Sequence, residues 1–230
     1  LGEADDLQAL GKVFLQCSKL DEAEESLNKA LELHQQAHSV LGEAADLQKL
    51  GDVFLRRSKL DEAEESLNQA LELHQQAHSV LGEANNLQKL GDVFLRRDRL
   101  DEAEESLDRA LELHQQAHDV VGEANDLQKL GKVFLQCSKL DEAEELLNRA
   151  LELHQQAHSV LGEATDLCML GDVFLRCSKL YEAEESLNRA VELYQQPHSV
   201  LGEANALRML GLVFLQRDKL DEAEELLNRA

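Results

Sequence analysis

The most regular chemistry-bearing residues of the sequence are histidines in pairs, four positions apart. His34 and His38 form the first pair, and the same HQQAH segment recurs with His74, His114 and His154 as its first member. On a helix this spacing places two imidazoles one turn apart, where they can share a metal ion. HQQAH lacks the Glu of the HExxH motif, and two nitrogens fall short of a structural zinc site. We therefore predict no metal and expect these histidines to pack and to hydrogen-bond at helix ends.

Carboxylates and thiols are also plentiful, but their distribution argues against catalysis. A catalytic carboxylate pair needs one special pocket with perturbed pKa values, whereas the acids here repeat from copy to copy. Cys17, Cys137 and Cys177 occupy a position that carries Arg in the other copies, so no thiol is required there. Each glycine stands alone, so no phosphate-binding loop is present. The sequence predicts neither an enzyme nor a cofactor.

The composition is typical of a helical protein with an aliphatic core, since 43% of residues are hydrophobic, 3% are aromatic and one is proline. A net charge of -23 argues against nucleic acid, because phosphate binding concentrates Lys and Arg. No apolar run approaches the roughly 18 residues of a membrane span, and no signal peptide opens the sequence. The cysteine pattern is typical of reduced intracellular thiols. We expect a cytoplasmic protein that binds neither nucleic acid nor membrane.

A period of 40 residues organises the whole sequence. Repeats 1 to 6 occupy, in order, residues 1–40, 41–80, 81–120, 121–160, 161–200 and the incomplete 201–230. The sixth copy stops inside its second helix. We therefore expect a single domain over 1–230 that is part of a longer array.

Each repeat predicts two helices, because small and apolar residues recur at steps of three and four along two segments. In repeat 1 these residues are Ala4, Leu7, Leu10, Gly11 and Phe14, followed by Ala23, Leu27, Ala30 and Leu31. Residues 17–19 form a short connection that forces an antiparallel hairpin. Ser39 offers an N-cap to the next helix, and Pro197 should stop or bend the second helix of repeat 5. Glycine inside a helix, as at Gly11, predicts close approach of the neighbouring helix at Ala23.

The residues that carry these two helices resemble the tetratricopeptide repeat. Every copy matches it in order and spacing at the positions of Leu7, Leu10, Gly11, Phe14, Leu20, Ala23, Leu27 and Ala30. The copies depart from it in having Leu7 where the family often has Trp, Gln35 in place of the closing Pro, and six extra residues. The long unit resembles those of Pins-type scaffolds and of the sensor regions of fungal NB-ARC or NACHT receptors. The resemblance implies an all-α, right-handed superhelical solenoid of helix hairpins.

Variation among the copies concentrates on one face of the first helix, at positions three, four and four residues apart. The resemblance implies that this face lines a concave groove that holds a peptide. The predicted partner-binding residues are, by repeat, Asp5, Gln8, Lys12 and Gln16; Ala45, Gln48, Asp52 and Arg56; Asn85, Gln88, Asp92 and Arg96; Asn125, Gln128, Lys132 and Gln136; Thr165, Cys168, Met169, Asp172 and Arg176; and Asn205, Arg208, Met209, Leu212 and Gln216. Lys12 is expected to face Asp52 across neighbouring repeats. The soft apolar side chains of Cys168, Met169, Met209 and Leu212 predict a binding hot spot.

The leading hypothesis is a protein–protein interaction module that binds a peptide or protein segment along this concave face, as in the ligand-sensing region of an NLR-like receptor. Free drift of exposed positions would also explain the variation, but Glu22, Glu24 and Glu25 of the second helix are the same in every copy. The alternative is a passive spacer or assembly element, natural or engineered, without a dedicated ligand. Apolar ends at Leu1 and Ala230 also predict end-to-end self-association of the array.

Overall fold

The computed structural model describes residues 2–196 and 199–230, which form twelve α-helices and no strand. The helices are α1 (Gly2–Gln16), α2 (Leu20–Gln36), α3 (Val40–Arg56), α4 (Leu60–Gln76), α5 (Val80–Arg96), α6 (Leu100–Gln116), α7 (Val120–Gln136), α8 (Leu140–Gln156), α9 (Val160–Arg176), α10 (Leu180–Gln195), α11 (Val200–Gln216) and α12 (Leu220–Arg229). Odd numbers are the first helices of the repeats and even numbers the second. The predicted all-α fold of helix hairpins is confirmed.

The chain divides into two compact units, unit 1 (Leu1–His118) and unit 2 (Asp119–Ala230). Within each unit the two helices of a repeat pack together, and the second helix also packs against the first helix of the next repeat. We call this second contact a junction and name it by its repeats, so that α2 and α3 form junction 1/2. A single domain over the whole chain stays a prediction.

Aliphatic side chains fill the junctions. At junction 1/2, Leu50 and Val53 of α3 pack with Leu15, Ala23 and Leu27. Burial of a leucine or valine side chain contributes roughly 1.5–3 kcal/mol to stability. Hairpin stacking therefore supplies the apolar burial that one hairpin lacks.

The glycine inside each first helix lies against a leucine of the second helix. A Cβ added to Gly51 would lie 2.7 Å from Cγ of Leu67, and the corresponding distance from Gly11 to Leu27 would be 2.6 Å. The predicted close approach is confirmed, but its partner is this leucine and not Ala23. The leucine side chain is larger than that of Ala23, and it is buried in the space that the glycine leaves because it has no Cβ.

The helix starts differ from the sequence-based expectation. Ser39 occupies the N-cap of α3, yet its side chain accepts no capping hydrogen bond. Asp119 has a similar backbone conformation and does cap α7, by accepting from the backbone N–H of Gly122 at 3.0 Å. The carboxylate is one atom longer than the serine hydroxyl, which explains how it reaches the amide.

Both turns of a repeat place a residue other than glycine in the left-handed region. The turn after α1 does so at Ser18, with φ of 57°, and the backbone N–H of Lys19 donates to the carbonyl of Phe14 at 2.9 Å. This is the Schellman pattern, which usually takes glycine at the left-handed position. The Lys19 ammonium also lies over the ring of Phe14. Lysine or arginine stacked over phenylalanine recurs after each of the other first helices.

We expect Ser58→Gly and His78→Gly each to raise the free energy of unfolding by about 1 kcal/mol. Their φ angles are 58° and 54°, and a residue with a side chain costs roughly 1–2 kcal/mol in this left-handed region. Glycine removes that cost, but it also gives the unfolded chain more conformational freedom, which offsets part of the gain. Urea denaturation followed by circular dichroism measures the change. Ser79→Gly is the control, because its φ of -88° leaves no strain to relieve. A loss of stability in both turn variants would contradict the expectation.

The prediction for Pro197 falls outside the described residues. The helix that precedes it, α10, ends at Gln195, whereas the corresponding helices α2, α4, α6 and α8 end one residue later in their repeats.

Candidate functional site

The first helices of each unit lie close to one another. In unit 1, α1 contacts α3 and α3 contacts α5, and in unit 2, α7 contacts α9 and α9 contacts α11. Within the described parts of either unit, successive second helices do not contact one another. The predicted partner-binding residues lie on these first helices.

The exposure of the predicted residues depends on their position in the repeat. The most open position is exposed in all six copies, as Gln16, Arg56, Arg96, Gln136, Arg176 and Gln216. The remaining exposed residues are Asp5, Lys12, Asn85, Lys132, Asn205 and Arg208. The half-buried ones are Gln8, Ala45, Gln48, Asp52, Gln88, Asp92, Asn125, Gln128, Thr165, Met169, Asp172 and Leu212. Cys168 and Met209 are buried, with 4% and 7% of their surface exposed.

The half-buried glutamines lead to a buried polar centre that the sequence analysis missed. At junction 1/2, Gln8 donates through Nε2 to Oδ1 of Asp46 at 2.7 Å. The other oxygen of Asp46 lies 2.6 Å from Nδ1 of His34, and Nε2 of His34 lies 3.4 Å from Oδ1 of Asp5. Asp46 has no exposed surface. Gln8 therefore serves the junction, and part of the predicted binding face is structural.

Junction 4/5 repeats this arrangement. Oδ2 of Asp166 lies 2.6 Å from Nδ1 of His154, and Gln128 donates to Oδ1 of Asp166 at 2.6 Å. Oδ1 of Asn125 completes the set, 3.3 Å from Nε2 of His154. Burial raises the pKa of Asp166, as it does that of the equivalent Asp46, and the hydrogen bonds from His and Gln oppose that shift. We call this arrangement the His–Asp centre.

Glycine at the second position of the repeat makes room for the imidazole. A Cβ on Gly42 would lie 2.5 Å from Cδ2 of His34, and one on Gly162 would lie 2.4 Å from Cδ2 of His154. Gly2, which has no preceding hairpin in this chain, would meet nothing within 4 Å. Both glycine positions of the repeat are therefore explained by close packing.

Junction 2/3 has the histidine without the carboxylate. Asn86 stands where Asp46 and Asp166 stand, and it makes no side-chain hydrogen bond with His74. The His74 ring is also turned, because Nδ1 rather than Cδ2 is the atom nearest a Cβ on Gly82. Burial lowers the pKa of His74. One amide in place of a carboxylate thus removes the whole centre.

Junction 5/6 replaces both members of the pair. Tyr194 takes the histidine position and Ala206 the aspartate position, and the Tyr194 hydroxyl donates to Oγ1 of Thr165 at 3.2 Å. The two substitutions are compatible with each other, because the tyrosine that replaces the histidine does not need the buried carboxylate that alanine removes. The phenol instead uses an acceptor on its own hairpin.

Three members of the predicted hot spot lie at the same junction, whereas Met169 is half-buried against the apolar cluster of junction 4/5. Sγ of Cys168 lies 3.9 Å from Sδ of Met209, and Leu212 packs against the same apolar cluster. Burial raises the pKa of the Cys168 thiol to about 11, although Asn205 donates to its sulfur at 3.4 Å. Cys168 and Met209 therefore stabilise the junction and present little surface to a partner.

The constant acids of the second helix include one that forms ion pairs between repeats. Glu24 lies 2.8 Å from Nη1 of Arg57, which also binds Asp21. Arg97 and Arg217 pair in the same way with Glu64 and Glu184. In repeat 5 the arginine position is Cys177, and Lys179, two residues later, pairs with Glu144 instead. This role accounts for the constancy of that acid without reference to a binding face.

Two further contacts between repeats differ from the sequence-based expectation. Asp52, expected opposite Lys12, pairs with Lys89 of the next repeat at 2.5 Å. Tyr181, which replaces an aspartate, lies with its ring centroid 4.5 Å from the guanidinium carbon of Arg217. A cation–π contact thus takes the place of the Asp21–Arg57 ion pair.

The paired substitutions at junction 5/6 are a feature of the sequence that could have indicated this contact. His34 with Asp46 and Tyr194 with Ala206 change together, twelve residues apart, which is the mark of side chains in contact. Among the described residues, no group of three or more His, Cys, Asp or Glu side chains is placed to hold a metal ion. The described helices also include none that combines the length and apolarity of a membrane span.

Comparison with known proteins identifies the repeat. The family model described as the tetratricopeptide repeat matches residues 4–76, 82–156 and 163–230. The chain belongs to the tetratricopeptide repeat family. That family places it among protein–protein interaction scaffolds. No protein with a curated description matches the sequence significantly.

Solved structures share the tetratricopeptide fold at low sequence identity. BtubC (BKLC) from P. vanneervenii is 20% identical over 91% of this chain and 89% of its own, with a TM-score of 0.78. A chain of the APC/C hetero-tetramer Cut9–Hcn1 is 19% identical over 99% of this chain and 39% of its own, with a TM-score of 0.80. A STAND protein from Pyrococcus horikoshii, described as having a tetratricopeptide repeat sensor, is 14% identical over 97% of this chain and 35% of its own, with a TM-score of 0.78.

Proposed function

We propose that the chain binds a peptide or protein segment along the exposed surface of its first helices. The observation that carries the proposal is that successive first helices contact one another within each unit whereas successive second helices do not. Such an arrangement curves each unit toward its own first helices, and a solenoid binds partners along its concave side.

The proposed surface is narrower than the sequence predicted. It excludes Gln8 and Gln128, which hydrogen-bond buried aspartates, and Cys168 and Met209, which are internal. It keeps the exposed positions that differ between repeats, which in unit 1 are Asp5, Lys12, Gln16, Arg56, Asn85 and Arg96, and in unit 2 are Lys132, Gln136, Arg176, Asn205, Arg208 and Gln216. Their mixed polar chemistry suits the backbone and charged side chains of an extended segment.

The similarity to a STAND protein with a tetratricopeptide repeat sensor supports a ligand-sensing role within a larger receptor. A passive spacer is the alternative, and it would bind no segment along this surface.

Selection from a displayed library of random 16-residue peptides on the immobilised protein tests the proposal. The selected peptides should bind at least tenfold more weakly when Lys12→Glu and Lys132→Glu reverse exposed charges on first helices, a loss of about 1.4 kcal/mol. The matched control reverses two exposed charges on second helices, with Glu25→Lys and Glu145→Lys, and should leave binding unchanged. Failure to select any peptide, or equal binding to both variants, would support the spacer.

A further inference from the structure

We propose that unit 1 opens at junction 2/3, where the hairpin α5–α6 separates from α1–α4 before any other contact in the unit is lost. Opening there would separate α3 from α5, and with them the exposed residues of two neighbouring first helices.

The polar centre of this junction is unsatisfied. Both ring nitrogens of His74, both side-chain polar atoms of Asn86 and Nε2 of Gln48 are buried without a hydrogen-bond partner. The equivalent atoms at junction 1/2 are bonded, in the set of Gln8, His34 and Asp46 described above. A buried polar group without a partner carries its full desolvation penalty, which is recovered as soon as water reaches it.

The apolar surroundings of the two junctions are alike, so a difference in opening between them does not come from apolar packing. Val53 and Val93 have no exposed surface, and Leu50 and Leu90 are each 3% exposed. The arginine contacts are matched as well, since the backbone carbonyl of the preceding first helix accepts from Arg56 at junction 1/2 and from Arg96 at junction 2/3, both at 2.7 Å.

Junction 2/3 also has ion pairs that junction 1/2 does not have. Lys89 pairs with Asp52 at 2.5 Å and Arg99 pairs with Glu64 at 3.2 Å, and all four side chains retain some exposure. Salt screens such pairs and leaves a buried polar defect unchanged. Measurement at high salt therefore isolates the effect of the defect.

The valine of the first helix is a natural position for a probe of opening. Val13 is 50% exposed because no hairpin precedes it in this chain, whereas Val53 and Val93 are fully covered. A cysteine in place of either covered valine would react with a thiol reagent only after its junction opens. Ala84 of α5 is fully buried, and Ala4 at the same position of α1 is only 1% exposed although no hairpin precedes it in this chain. Burial at this position therefore does not depend on the preceding hairpin, and Ala84→Cys reports unfolding of the hairpin α5–α6 itself.

The experiment measures maleimide labelling of the folded full chain in 0.5 M salt, with each site resolved by peptide mass spectrometry so that the natural cysteines remain. Val93→Cys should react at least tenfold faster than Val53→Cys and than Ala84→Cys. This order of labelling rates distinguishes opening at junction 2/3 from fraying of the first hairpin, because fraying would make Val53→Cys the faster of the two. Addition of Asn86→Asp supplies the missing carboxylate and should slow labelling of Val93→Cys at least tenfold.

Equal labelling of Val93→Cys and Val53→Cys would overturn the proposal. So would labelling of Val93→Cys no faster than Ala84→Cys, because the hairpin α5–α6 would then unfold together with the junction. A rate that Asn86→Asp leaves unchanged would show that the polar centre does not control opening. Circular dichroism of each variant confirms that the helices are intact before labelling.

Discussion

Asp46→Asn should lower the free energy of unfolding by about 3 kcal/mol, because a buried carboxylate that holds both Gln8 and His34 is lost and one buried group is left without its hydrogen bond. The asparagine has one acceptor oxygen in place of two, so it can accept from Gln8 or from His34 but places an N–H donor beside the other. The water that would satisfy these groups is excluded, because Asp46 has no exposed surface. Urea denaturation followed by circular dichroism measures the change.

The chain supplies a matched control for this substitution. Asp6 occupies the same position in repeat 1 and is exposed, so Asp6→Asn should change stability by less than about 0.5 kcal/mol. The pair His34→Tyr and Asp46→Ala copies the chemistry of junction 5/6 and should recover part of the loss, with Asp5 as the acceptor for the phenol. A stability of Asp46→Asn equal to that of Asp6→Asn would contradict the assigned role of the His–Asp centre.

Gly42→Ala should lower the free energy of unfolding by about 2 kcal/mol, although alanine is normally favoured over glycine in a helix by roughly 1 kcal/mol. The new Cβ would lie 2.5 Å from Cδ2 of His34. The ring has little freedom to move, because Asp46 lies 2.6 Å from its Nδ1 and the side chain is buried. Steric overlap therefore outweighs helix propensity.

Gly2→Ala is the control for Gly42→Ala, since a Cβ on Gly2 meets nothing within 4 Å. Its stability should be unchanged or slightly higher, as measured by the same denaturation experiment. A stabilising effect of Gly42→Ala would show that the imidazole is not confined by this glycine.

Periodicity predicted the helices because their packing is local and repeated. The positions of Leu27 and Gly11 recur in every copy, so the hairpin, its three-residue turn and its close crossing follow from spacing alone. Hydrophobic periodicity assigns charged side chains to the surface, and this is why the burial of Asp46 was not predicted. Its partners lie 12 and 38 residues away, and they meet only when two hairpins stack.

The location of the candidate site on the first helices stays a prediction, and the structure shows which of its predicted residues are exposed. Variation between copies led to the prediction of a binding surface on the first helices. That variation has two physical causes, which the sequence alone does not separate. Cys168 and Met209 vary because they repack a junction, whereas Lys12 and Gln16 lie in solvent. Burial distinguishes the two groups, and burial depends on the neighbouring repeat.

The paired replacements at junction 5/6 restrict where chimeras of this chain can be joined. Tyr194 and Ala206 connect the second helix of repeat 5 to the first helix of repeat 6. An exchange of whole 40-residue copies would split this pair and set a tyrosine against a carboxylate. A chimera joined in the turn between the two helices of a repeat keeps α10 with α11, so the portable module of this array is the junction rather than the repeat.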